Sequence, residues 1–163
     1  MAFTQGLTTT FKEELLLGGH DFDTGGGASV GTYNIALYNT SATLGLTDDS
    51  YDNSDTANEV STSGDYTAGG PSAGQELTIS TAPGNGGSGT TVFTSFSNKT
   101  FTAVSFTAGG ALIYNSSPSG SASSRTNPSV CVLDFGGAKT ASGGDFTIQF
   151  PAAAAGTAIV RIA

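Results

Sequence analysis

"TFTAVSF" at Thr100–Phe106 and "DFTIQF" at Asp145–Phe150 are the stretches on which the fold class turns. In the first, Phe101, Ala103 and Ser105 alternate with Thr102, Val104 and Phe106; in the second, Phe146, Ile148 and Phe150 alternate with Thr147 and Gln149. A period of two puts each set on one face of an extended chain, so both stretches predict strands with one buried face. Strands of this half-buried kind pair antiparallel and pack sheet against sheet.

The same pattern of short apolar runs divided by turn residues extends over the chain beyond Ser29. It predicts further strands near Thr32 to Tyr38, Glu76 to Thr81, Thr90 to Phe96, Ala111 to Asn115, Ser129 to Phe135 and Ala158 to Ile162. The expected class is all-β, an antiparallel β-sandwich or jelly-roll-like barrel. Two of these strands end alike, in "ALYNTSATLG" from Ala36 and "ALIYNSSPSG" from Ala111. The apolar part packs, Tyr marks the edge of the sheet, and Asn with Ser or Thr opens the loop.

Composition agrees. The chain has 163 residues, the size of one compact unit, and its 24 Gly and 11% charged residues suit strands and turns better than helices. Its 10 Phe and 5 Tyr supply the large buried areas that a disordered chain lacks. A net charge of -8 opposes direct binding to nucleic acid or to anionic lipid. The lone Cys131, within "SVCVLDF", rules out an internal disulfide and a multi-cysteine zinc site and reads as a small buried hydrophobe. No signal peptide of ordinary form and no apolar run of membrane-spanning length is present, so a soluble protein made in the cytoplasm is expected.

The N-terminal segment stands apart from the rest. "TFKEELLLGG" offers Thr10 as N-cap, Glu13 as its capping-box partner and two glycines as a stop, which predicts a helix of about two turns. Phe11, Leu15, Leu16 and Leu17 give it an apolar face too broad to leave in water. Residues 1–28 are therefore read as an N-terminal arm with a short helix, and residues 29–163 as the sandwich domain. Within the latter, "DDSYDNSDTANEVSTSGDYTAGGPSAGQ" (48–75) and "NSSPSGSASSRTNPS" (115–129) carry no period and read as long surface loops.

Signals for enzyme chemistry are thin, and no residue is assigned a catalytic or cofactor-binding role. His20, in "GHDFD", is positioned to hydrogen-bond the last helix carbonyls, and neither a nucleophile elbow nor a phosphate loop accompanies it. The run Gly25 to Gly27 lacks the Lys and helix of a phosphate cradle and reads as a flexible turn. Asp48, Asp49, Asp52 and Asp55 form a weak calcium candidate, because the loop lacks the Gly and distal Glu of an EF-hand; a solvated acidic loop is the commoner reading. Sequons begin at Asn39, Asn98 and Asn115 and matter only in a secretory compartment. Tyr38, Asn39, Tyr114 and Asn115 suggest a carbohydrate site, but without any Trp the structural reading is preferred.

Taken in order, "TTTFKEELLLGGHDF", "TYNIALYNTSATLG", "NEVSTSGDYTAGG", "FTAGGALIYNSS", "VLDFGG" and "GDFTIQFP", ending in "AIVRIA", resemble a family of small tailed-bacteriophage virion structural proteins. This chain carries longer loops than the family pattern at "GPSAGQ", "APGNGGSG" and "SPSGSASSRTNPS", which would be particle-specific surfaces. The resemblance implies a non-enzymatic virion component made in the host bacterial cytoplasm. The first expectation is a capsid decoration (cement) protein, a homotrimer bound to the major capsid protein; a tail- or fibre-associated adaptor or host-binding knob is the alternative, and a secreted carbohydrate-binding module ranks below both. On the decoration reading, Phe3, Leu7, Phe11, Leu15 and Leu16 of the arm would bury against a partner.

Overall fold

The computed structural model describes residues 2–24, 30–86, 89–118 and 125–163. The glycine run at 25–27 and residues 119–124 of the long loop lie outside them. The elements are β1 (Ala2–Phe3), β2 (Gly6–Leu7), α1 (Thr9–Leu17), β3 (Tyr33–Tyr38), β4 (Thr43–Leu44), a 3-10 turn (Thr56–Asn58), β5 (Ile79–Gly84), β6 (Val92–Phe96), β7 (Lys99–Asn115), β8 (Ser129–Ile148) and β9 (Val160–Ile162). Strands β2, β8, β7 and β3, in that order, make an antiparallel sheet, and β5, β6 and β9 make another. The fold is an all-β sandwich with one short helix near its N-terminus.

Every residue of β3 is buried, because this part of the four-stranded sheet is covered on both faces. Tyr33, Ile35 and Leu37 join Ala111 and Ile113 of β7 in the main core, with Phe96 and Val160 from the second sheet and Phe11 from α1. Ala36 and Tyr38, pointing the other way, join Leu112, Tyr114 and Val132 in a second cluster closed by Leu44, Tyr51 and Phe3. A strand buried on both sides reads as a continuous apolar run, which is why "YNIALY" does not alternate with polar residues. The two similar stretches are neighbours in this sheet, running antiparallel with Ala36 opposite Leu112 and Tyr38 opposite Gly110.

Several expectations are corrected. The strands predicted at Thr100 and Ala111 are one strand, β7, and those at Ser129 and Asp145 are one strand, β8; they pair along nearly their whole length. The strict alternation predicted for "TFTAVSF" fails at Ala103, which adopts φ 53° in a bulge between Phe101 and Val104. The bulge shifts the phase, so Phe101 and Val104, three apart, are both buried. Backbone groups around it find side-chain partners: the Thr102 N–H donates to the Asp65 carboxylate (2.7 Å) and the Ser105 N–H to the Ser63 hydroxyl (2.7 Å).

The helix is capped by Thr8, not Thr10. The Thr8 hydroxyl accepts from the Phe11 N–H (3.2 Å) and donates to the Ser129 carbonyl (3.0 Å), while the Thr8 N–H bonds the Val130 carbonyl (3.0 Å). Tertiary bonds to β8 thus choose among three successive threonines. Gly18 ends the helix at φ 77°, donating to the Glu14 and Leu15 carbonyls.

Residues 48–75 are no mere surface loop. Tyr51, Val60 and Tyr66 are buried, and residues 58–60 and 75–77 run along the outer edge of β3. Ile35 N–H bonds the Gln75 carbonyl, Val60 N–H the Leu37 carbonyl and Leu77 N–H the Tyr33 carbonyl.

Candidate functional site

Glu59 is the centre of a polar network. Its carboxylate accepts from the Tyr51 hydroxyl (2.6 Å), the Tyr66 hydroxyl (2.7 Å), the Gln75 side-chain amide (3.0 Å) and the Gly69 N–H (3.1 Å). Gln75 in turn accepts from the Tyr114 hydroxyl (2.8 Å), and Tyr66 accepts from the Leu37 N–H (2.9 Å). Burial, and in the case of Tyr51, Tyr66 and Tyr114 the nearby Glu59 charge, hold these phenols in the neutral, donating form by raising their pKa. The network is closed: donors meet acceptors, and it serves to tie 51–75 onto β3 and β7. "GPSAGQ", expected as a particle-specific surface, ends in the fully buried Gln75.

His20 does not cap the helix through its carbonyls. Its side chain is buried among Phe11, Phe22 and Tyr33, with Nδ1 3.3 Å from the Asn115 amide and Nε2 3.4 Å from Glu14 Oε2. With Asn115 donating to Nδ1, the proton of the neutral ring sits on Nε2 and faces the carboxylate. Burial lowers the His20 pKa to about 4. Glu14 also faces Arg125 (3.5 Å), which reaches Glu13 (3.3 Å) and Asp49 (3.8 Å). Arg125 thus ties the helix to the acidic loop.

The four candidate calcium ligands are not brought together. Asp48 accepts from the Gly45 N–H, Asp49 from Ser50 and Asn53, Asp52 from Asn127, and Asp55 from the Thr43 N–H and Asn58. Each carboxylate fastens a separate turn or loop. Among the described residues no group of three or more His, Cys, Asp or Glu side chains is placed to hold a metal ion. Cys131 is buried as expected, and burial pushes its thiol up to about 12.

Nor do the strand-end Tyr-Asn pairs offer a sugar platform. Tyr38, Tyr114 and Asn115 are fully buried, and the Tyr38 hydroxyl is paired with Ser54 (2.7 Å). Burial of Asn115 also removes that sequon as an acceptor.

The interface residues divide. Phe3 lies in the second core cluster, over Gly109 and Gly110, and Phe11 is in the main core. Leu7, Leu15 and Leu16 line a cavity of about 320 Å³ between α1 and β9, together with Lys12, Arg161 and Ile162. Leu16 is 90% exposed, and Leu17 (53%), Ile162 (51%) and Val92 (45%) are the next most exposed large hydrophobics. Within this chain the helix buries the Phe11 side of its apolar face and partly covers Leu15. Sequence reasoning found the helix side of this surface but not Val92 and Ile162, whose strands read as ordinary core.

The chain matches no protein-family model, no curated protein and no solved structure. No helix among the described residues is long and apolar enough to cross a membrane.

Proposed function

We propose that this chain is a non-enzymatic structural protein of a tailed-bacteriophage virion, a capsid decoration protein that docks on the shell through the α1 and β9 face. The supporting observation is the exposure of Leu16 and Ile162 on one cavity, with the exposed Val92 opposite Ile162 on the neighbouring strand. Apolar side chains grouped on one face favour a protein partner, since covering each stabilises by roughly 1.5–3 kcal/mol. The Glu59 network and the turn-bound carboxylates support a scaffold role, because their polar groups are occupied in holding loops to the sheet. The ordered resemblance over nearly the whole chain supports the virion setting.

Copy number and attachment test this together. Purified particles should hold hundreds of copies, retained when tails are removed; a few or tens of copies lost with the tail would move the chain to the tail. Leu16→Gln should fold normally yet fail to attach to particles lacking the protein. Deleting residues 1–18 is a poorer test, because β2 pairs with β8 and Phe11 belongs to the core.

A further inference from the structure

The cavity between α1 and β9 is one of three that run on from each other. It shares Phe11, Leu15 and Ile162 with a smaller apolar cavity toward Val92, and Leu7 and Arg161 with one of about 310 Å³ toward Gln5 and Thr157. No Asp or Glu lines any of the three. On a chain with 13 carboxylates and only 5 Lys and Arg, this trough is edged by two of the cations, Lys12 and Arg161. Both are exposed, and Arg161 spends one guanidinium N–H on the Gly156 carbonyl (2.5 Å), leaving others to face outward.

Two sheet edges border the trough. β2 is the last strand of the four-stranded sheet and β9 the last of the three-stranded one, and Gly6 and Leu7 face Ile159 and Arg161 across it. Among the described residues no backbone hydrogen bond joins these two edges. Open edges of this kind accept an added strand.

We infer that the trough binds an extended segment of a different protein in which apolar residues alternate with carboxylates. The apolar side chains enter between Leu7, Leu15 and Ile162, and the carboxylates meet Lys12 and Arg161. A second copy of this chain is a poor occupant. A two-fold contact centred on Leu16 sets the Lys12 and Arg161 pairs of both copies together with no carboxylate in the lining, and Glu13 is turned to Arg125 (3.3 Å). A symmetric oligomer of this chain therefore needs another surface.

This inference rests on the docking reading above but fails separately from it. The probes are two short capped peptides, one of alternating valine and glutamate and one of alternating valine and lysine, followed by fluorescence anisotropy and by amide shifts of the whole chain. The glutamate peptide should bind about tenfold or more tightly than the lysine peptide, weaken with added salt, and shift the amides of Leu7, Leu16 and Ile162. The Lys12→Glu, Arg161→Glu double variant should reverse the preference. Equal binding of both peptides, or shifts confined to other surfaces, overturns the inference. So does a dimer in sedimentation that Leu16→Gln dissociates, because the face then belongs to a second copy. Particle attachment that needs Leu16, with peptides that do not discriminate, keeps the docking function and removes this occupant; charge-selective peptide binding without particle attachment does the reverse.

Discussion

At the β3 edge of the four-stranded sheet, residues 58–60 and 75–77 cover the outermost strand and bond to Tyr33, Ile35, Leu37 and Asn39. Behind them Glu59 gathers Tyr51, Tyr66 and Gln75 into a closed network. At the β2 edge the sheet stops at a two-residue strand, next to a trough rimmed by Leu16 and Ile162. One edge is finished within the chain, with both Glu59 carboxylate oxygens given donors. The other is left apolar and cationic. The difference teaches that one sheet can close one of its edges with polar partners from its own chain and leave the other edge apolar.

Perturbations of the closed edge should cost most. Glu59→Ala leaves two tyrosine hydroxyls, the Gln75 amide and the Gly69 N–H without their acceptor, and should lower stability in urea by about 3–5 kcal/mol. A loss below about 1 kcal/mol would mean that water replaces the carboxylate and that the edge is not closed. Acid should act next, through His20 on the side of the helix. Burial lowers its folded pKa to about 4, below the ordinary histidine value of 6.5, so the unfolded chain takes up the proton first. Stability from this group is whole above 6.5 and is lost as pH falls toward 4, by up to roughly 3 kcal/mol, with the Glu14 carboxylate at 3.4 Å acting in the opposite sense. Urea midpoints across this range should slope downward toward acid, and the slope should flatten in His20→Gln.

Gly64→Ala tests how the covering segment is seated. At φ 55° its added Cβ would lie 2.1 Å from the Thr102 carbonyl oxygen, so a loss of about 2 kcal/mol is expected, with faster amide exchange at Thr102 and Ser105. Thr8→Ala removes the helix cap and should cost about 1 kcal/mol, whereas Thr10→Ala should leave the cap intact. Smallest of all is Leu16→Gln, expected within about 0.5 kcal/mol of the parent because the side chain already lies in solvent. An open face that can be changed without cost while attachment is lost would complete the contrast; an equal cost at both edges would erase it.

The halves of this contrast were unequally legible in the sequence. Alternation in "DFTIQF" placed Phe146 and Ile148 inward correctly, and the leucine run announced an apolar helix before any contact was known. The closed edge was hidden because residues 48–75 reach the core through isolated bridges rather than strands, so neither period appears. Tyr51 and Tyr66 were the available signal, since large aromatic rings amid Ser, Asp and Gly seldom stay in water. Glu59 and Gln75 gave no local sign at all: their pairing is fixed by residues as far off as Tyr114. The bulge at Ala103 was likewise unreadable, because its hydrogen-bond partners Ser63 and Asp65 lie about forty positions earlier. Among adjacent threonines only the distant β8 distinguishes Thr8 from Thr10.

The pairing of Gly6 with Val132 and of Leu7 with Cys131 sets an order of events during synthesis. Strand β2 is made more than a hundred residues before β8, the strand it pairs with. During that interval Phe11, Leu15 and Leu16 are all uncovered, and only the arrival of β8 separates the side chain that belongs inside from those left for a partner. The face around β2 and α1 therefore stays unshaped until β8 arrives, so premature contact between nascent chains is the hazard that this topology carries.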